Sequence, residues 1–158
     1  MNWKFAKEEK VVWQDIVIAL LAGTIIVAGI LCIARTIWSG YHFLDDHELL
    51  RLEQLAEQGQ PLGTTIRTWI RNDMNLRYRP LYWTERVAVG YLFGSNLIAW
   101  NIWTAVKGIF AFALLYLTAR FLKSGRLISL IFPMIIMLGA QFTPWYRSAN
   151  QESTGLLL

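Results

Sequence analysis

The chain has 158 residues, 55% hydrophobic and 14% aromatic, with 15 basic and 11 acidic side chains and a formal charge of +4. Soluble domains average about 45–50% apolar and about 25% charged residues, so 16% charged with eight Trp excludes disorder and argues against a free soluble domain. The basic residues form no continuous run, which argues against a nucleic-acid partner, and the single Cys32 supplies neither a disulfide framework nor a thiol zinc site.

The first apolar block follows Lys4, Lys7 and Lys10, spans residues about 11–37 and is followed by Trp38 and Tyr41. A basic flank before the span and aromatics after it predict a membrane helix with its amino end in the cytoplasm. The block is longer than the apolar core of a signal peptide and lacks an Ala-x-Ala site, so it reads as a retained anchor. Asp15 lies near the inner surface, where a charge needs no special role.

An extracytoplasmic loop of residues about 38–95 follows. It holds six Arg and no Lys against seven acids. Within it Tyr41-His42-Phe43-Leu44-Asp45-Asp46-His47-Glu48 opens a helix carrying Leu49, Leu52 and Leu55 at helical spacing, ending near Gly59 and Gln60-Pro61. Asp45 followed three residues later by Glu48 is a capping box, which accounts for those two. It leaves Asp46, His42 and His47. Asp45, Asp46, His42 and His47 together offer the oxygen and imidazole donors of a divalent cation site, Mg or Mn, and either Asp offers a general base.

Thr64 to Met74 reads as a short amphipathic helix lying on the membrane, with Ile66, Trp69, Ile70 and Met74 on one face and Arg67 with Arg71 on another. In Arg77-Tyr78-Arg79-Pro80-Leu81-Tyr82-Trp83 the proline pushes Arg79 towards an extended backbone and places Arg77 on the same side. Arg77 and Arg79, and with them Arg67 and Arg71, are candidate phosphate contacts or interface anchors.

An interfacial helix is expected from Pro80, a proline suited to a first helical turn. Gly90 and Gly94 are spaced for close helix packing. A second crossing then covers residues about 96–122, and a third covers about 127–142, bent or weakened at Pro133. Between them Lys123, Ser124, Gly125 and Arg126 form a short basic turn, which belongs inside and agrees with a cytoplasmic amino terminus. Lys107, near the middle of the second crossing, is expected to meet a partner, such as a further membrane segment or subunit. The tail 143–158 then lies outside. The expected fold is all-α and integral to the membrane, with about three transmembrane helices and amphipathic interfacial helices in the first outer loop.

Leu44-Asp45-Asp46-His47-Glu48, Arg77-Tyr78-Arg79-Pro80-Leu81-Tyr82-Trp83 and Leu92-Phe93-Gly94-Ser95-Asn96 carry a resemblance. The chain resembles the amino-terminal part of the polytopic glycosyltransferases with the C-type fold, in particular bacterial proteins related to the dolichyl-phosphate-mannose protein mannosyltransferases. In that family an acidic pair in the first outer loop, usually Asp-Glu, supplies a catalytic base or metal contact for transfer from a polyprenyl-phosphate sugar. The resemblance implies that role for Asp45 and Asp46, with Asp46 where the family has Glu. It implies too that the chain is the front part of a longer protein, its end at Leu156-Leu157-Leu158 falling where a further span would begin.

Two functions follow as expectations. One is a glycosyltransferase of the cell (inner) membrane, or the amino-terminal part of one, acting outside the cytoplasm with membrane lipids around it. The other is a non-catalytic scaffold or partner subunit whose acids cap a helix and whose Arg side chains bind anionic lipid.

Overall fold

The computed structural model describes residues 13–34, 47–74 and 79–138, and within them the chain is all-helical. Six helices follow in order among the described residues: α1 (Trp13–Ala34), α2 (His47–Glu57), α3 (Leu62–Asp73), α4 (Pro80–Phe93), α5 (Leu97–Phe121) and α6 (Arg126–Leu138).

Helices α1 and α5 are long and apolar enough to cross a membrane. Their 22 and 25 residues give lengths of about 33 and 37 Å at the helical rise, against a hydrocarbon core of about 30 Å. They pack side by side with α6. Val27 and Leu31 of α1 meet Ala111 and Phe112 of α5 and Met137 of α6 in one core, and Ala19, Ala113 and Tyr116 form a second. Gly23 permits the approach, since a Cβ there would lie 3.2 Å from the Ile109 carbonyl oxygen and 3.3 Å from Phe112 Cβ. Ile25, Ile33, Phe110, Leu114, Ile131 and Ile135 are left exposed on the outside of this bundle, an apolar belt that suits hydrocarbon rather than water.

The α6 helix begins close to its expected start and runs through Pro133, which is buried, to Leu138. The proline removes one backbone donor without ending the helix, because the preceding and following turns are held by packing on α5. Residues 139–142 of the expected third crossing lie outside the described residues, as do the ends of the first.

The amino ends of α1 and α6 and the carboxyl end of α5 meet at one pole. Asp15 is fully buried there. Its Oδ1 accepts hydrogen bonds from Tyr116 Oη and Arg126 Nε, both at 3.1 Å, and stands 3.3 Å from Arg120 Nε. This corrects the expectation that Asp15 needs no role: one carboxylate ties three helices together.

The remaining helices form a second layer joined to the start of α5. Asn96 caps α5, its Oδ1 accepting from the Ala99 amide at 3.1 Å, as the expected start near residue 96 requires. Leu49 of α2, Val89 of α4 and Trp100 of α5 share a core. The spacing of Gly90 and Gly94 is used here: a Cβ at Gly90 would lie 2.8 Å from Leu52 Cδ1, and Gly94, with φ +55°, closes α4 beside Glu53. Glu53 Oε1 in turn accepts from Ser95 N at 3.2 Å and Ser95 Oγ at 3.0 Å.

Lys107 finds its partner inside the chain. Its Nζ lies 2.8 Å from Oε1 of Glu85 on α4, and the same oxygen accepts from Trp103 Nε1 at 2.6 Å. A buried ammonium in an apolar span is costly unless paired, and Glu85 supplies the pair, so no external segment is needed for it.

Candidate functional site

Helical periodicity builds a pocket between α2, α3 and α4. On α3, Thr65, Thr68, Trp69, Asn72 and Asp73 recur at three- and four-residue spacing and share one face; on α2, Glu48, Arg51 and Leu55 do the same. With Gln60 and Trp83 these side chains line an open pocket of about 420 Å³, within the range of about 300–1,000 Å³ typical of small-molecule sites.

The pocket walls are held from behind. Thr65 Oγ1 and Tyr91 Oη share a hydrogen bond of 2.6 Å, and Tyr91 Oη donates to the Gln60 carbonyl at 3.2 Å, fixing α3 on α4. The Trp69 and Trp83 rings meet with centroids 4.9 Å apart at 52°, a tilted arrangement favoured by the ring quadrupoles. Arg51 stands 5.5 Å over the Trp69 ring.

Each carboxylate in the pocket wall faces an Arg. Glu48 Oε2 lies 2.9 Å from Nε of the buried Arg86. Asp73 takes a two-pronged pair from Arg79, with Nε to Oδ2 at 2.9 Å and NH2 to Oδ1 at 2.7 Å. That hydrogen bond, above all, raises the Arg79 pKa from its ordinary value, so Arg79 stays charged. Arg79 also lies 5.1 Å over Tyr82 and 5.6 Å over Trp83. Its place before Pro80 predicts an extended backbone; with φ −126° and ψ 60° Arg79 leaves the helical region without becoming extended, and it spends its fork on Asp73 and on the aromatic wall.

Of the other residues singled out by sequence, Arg67 and Arg71 are exposed and lie on the far face of α3 from the pocket. There they line a groove with Gly63, Ile66, Ile70 and Met74. The sequence had placed these Arg apart from the apolar residues and Trp69 with them; in the fold the Arg join Ile66 and Ile70, while Trp69 turns to the pocket. His47 is exposed at the first position of α2. Asp45, Asp46, His42 and Arg77 lie outside the described residues. Among the described residues no group of three or more His, Cys, Asp and Glu converges as a metal site would require.

Sequence reasoning missed Arg51, Thr68, Asn72 and Asp73 as one surface. The signal was present, since Thr65, Thr68, Asn72 and Asp73 form a polar stripe at helical spacing, but charge and Arg content drew attention to the opposite face.

Comparison with protein-family models, curated proteins and solved structures gives no match for this chain.

Proposed function

We propose that the chain is a membrane-bound glycosyltransferase, or the amino-terminal part of one, that transfers a sugar from a polyprenyl-phosphate donor to an acceptor hydroxyl outside the cytoplasm. The observation that carries this reading is the position of the acidic pair in the chain: Asp46 is followed by His47, the first residue of α2, and Glu48, one residue further, lines the pocket. A carboxylate pair directly before a pocket-forming helix suits a general base, and the same position in the chain suits a helix cap.

In this reading Asp45 or Asp46 removes the proton from the acceptor hydroxyl. The acceptor oxygen attacks the anomeric carbon, the bond from that carbon to the phosphate oxygen breaks, and polyprenyl phosphate leaves with the electron pair. Arg77 holds the leaving phosphate, whose growing charge it stabilises, while Arg67 and Arg71, on the face of α3 away from the pocket, anchor the chain to anionic headgroups. The Asp73 pair gives Arg79 a positioning part, holding Trp83 and the pocket wall. A divalent cation on Asp45, Asp46, His42 and His47 belongs to the same proposal, and its donor set is that of Mg or Mn.

The inner membrane, a cytoplasmic amino terminus and a third crossing by α6 complete the proposal. Arg120, Lys123 and Arg126 support it, since they gather at the pole where α1 begins, and basic short loops stay inside. A scaffold reading has its own support: Glu48, Asp73 and Glu85 all face cations of the same chain, as in a layer built for stability alone.

The test is transfer itself. The full chain is reconstituted in proteoliposomes with a radiolabelled polyprenyl-phosphate hexose and a panel of hydroxyl acceptors, with and without EDTA. Product formation that consumes donor supports the transferase, and loss with EDTA assigns the metal; intact donor under all conditions favours the scaffold.

A further inference from the structure

The two faces of α3 are used differently. Its inner face is fixed to α4 at three levels: Thr65 Oγ1 meets Tyr91 Oη at 2.6 Å, the Trp69 and Trp83 rings stand 4.9 Å apart, and Asp73 takes the Arg79 fork. These contacts hold α3 against rotation, so its outer face is set as well. That outer face carries a groove of about 700 Å³ lined by Gly63, Ile66, Arg67, Ile70, Arg71 and Met74.

The lining joins apolar side chains to two cations and includes no acid. Ile66 and Ile70 are half-buried, and Met74 is 59% exposed. Elsewhere in the described residues Arg79, Arg86, Arg120 and Arg126 each face a carboxylate, and Arg51 lies over the Trp69 ring. Arg67 and Arg71 are exposed on the groove. Four residues apart on a helix, their Cβ atoms stand about 5–6 Å from each other, close enough for both guanidiniums to hold one phosphate.

Charge and apolarity together narrow the occupant. A soluble anion would use the two guanidiniums and leave Ile66, Ile70 and Met74 against water. A zwitterionic lipid would cover the apolar residues but bring no net charge to the Arg pair. An anionic phospholipid supplies both parts, a phosphate and a hydrocarbon chain. Helices α1 and α5, long and apolar enough to cross a membrane, put such a lipid within reach. A polyprenyl phosphate has the same two parts, but the groove lies on the face of α3 away from the pocket that Glu48 lines.

We infer that the groove seats one anionic phospholipid of the surrounding bilayer, its phosphate between Arg67 and Arg71 and an acyl chain along Ile66, Ile70 and Met74. The inference rests on the reading above for the anchoring role of these two Arg, which it deepens from a general attraction to a seat for one lipid class, and not for transfer.

The experiment is photolabelling of the full chain in phosphatidylcholine nanodiscs that hold a low, fixed share of phosphatidylglycerol with a diazirine on its acyl chain, the labelled residues being mapped by mass spectrometry. Label is expected to gather on residues 66–74, and the matching phosphatidylcholine probe should label them far less. Arg67→Gln and Arg71→Gln should each lower the yield there about fivefold and together about thirtyfold, the equivalent of about 2 kcal/mol. Met74→Ser, which leaves the charge unchanged, should lower it about threefold. All these positions are exposed, so the variants should keep the wild-type Tm. Equal labelling by the two probes, a yield unmoved by the double Arg variant, or a yield unmoved by Met74→Ser would overturn the seat. So would displacement by a soluble poly-Glu peptide, which would assign the face to an acidic protein segment, or by an equal amount of undecaprenyl phosphate, which would assign it to the sugar carrier.

The two readings fail separately. Label on α3 in a chain that transfers no sugar sinks only the transferase. Transfer in nanodiscs where α3 takes no label sinks only the lipid seat.

Discussion

Asp15, in the first turn of α1, accepts a hydrogen bond at 3.1 Å from Arg126, the first residue of α6, 111 positions further along the chain. Arg120 faces the same carboxylate from the end of α5, so removing the charge leaves two guanidiniums short of their anion. Breaking a buried pair from one side costs about 3–5 kcal/mol. Asp15→Asn should therefore lower the thermal midpoint of the detergent-solubilised chain by several degrees, and an unchanged midpoint would show that the cluster is incidental.

Glu85 and Lys107 set a second prediction. Lys107→Met takes the ammonium away from Glu85 Oε1, which keeps its bond from the Trp103 indole, and Glu85→Gln leaves the buried ammonium facing a neutral amide. Each single change should destabilise by about 2 kcal/mol or more, and the double variant should recover part of the loss, with a coupling of about 1–3 kcal/mol in a double-mutant cycle. Additive losses would mean that the two side chains do not act as a pair.

The close approach of α2 to α4 is tested at Gly90. A Cβ there would stand 2.8 Å from Leu52 Cδ1 and 3.1 Å from Leu52 Cβ, so Gly90→Val overfills the contact and should cost about 1–3 kcal/mol. Combining it with Leu52→Ala should return some of that stability. If limited proteolysis of Gly90→Val matches wild type, the two helices are less tightly joined than the distances imply.

Much of the fold was legible in the sequence because apolar length and breaking residues leave little choice. Pro80 opens α4, Gly94 and Asn96 divide it from α5, and Lys123 to Gly125 end α5, all near the expected positions. Long-range ion pairs were not legible: Asp15 and Arg126 stand 111 positions apart in the chain, and only helix packing brings them together. Lys107 likewise shows its need for a partner, but Glu85 stands 22 positions back on a separate helix, and spacing within α5 does not reveal it. The pocket was half visible. The α3 helix was recognised, yet which of its faces turns inward depends on Tyr91 and Trp83 of α4, which periodicity within α3 does not reveal.

The most direct test of the central claim is the transfer rate of Asp45→Asn, Asp46→Asn and the double variant against the parent chain in the same proteoliposomes. Asn caps a helix about as well as Asp, so a purely structural role survives the exchange. The transferase reading predicts a fall in kcat of about 10²–10⁴ for at least one single variant, with Tm and helix content unchanged. Parent-level transfer by the double variant would contradict it and leave the acidic pair as a helix cap.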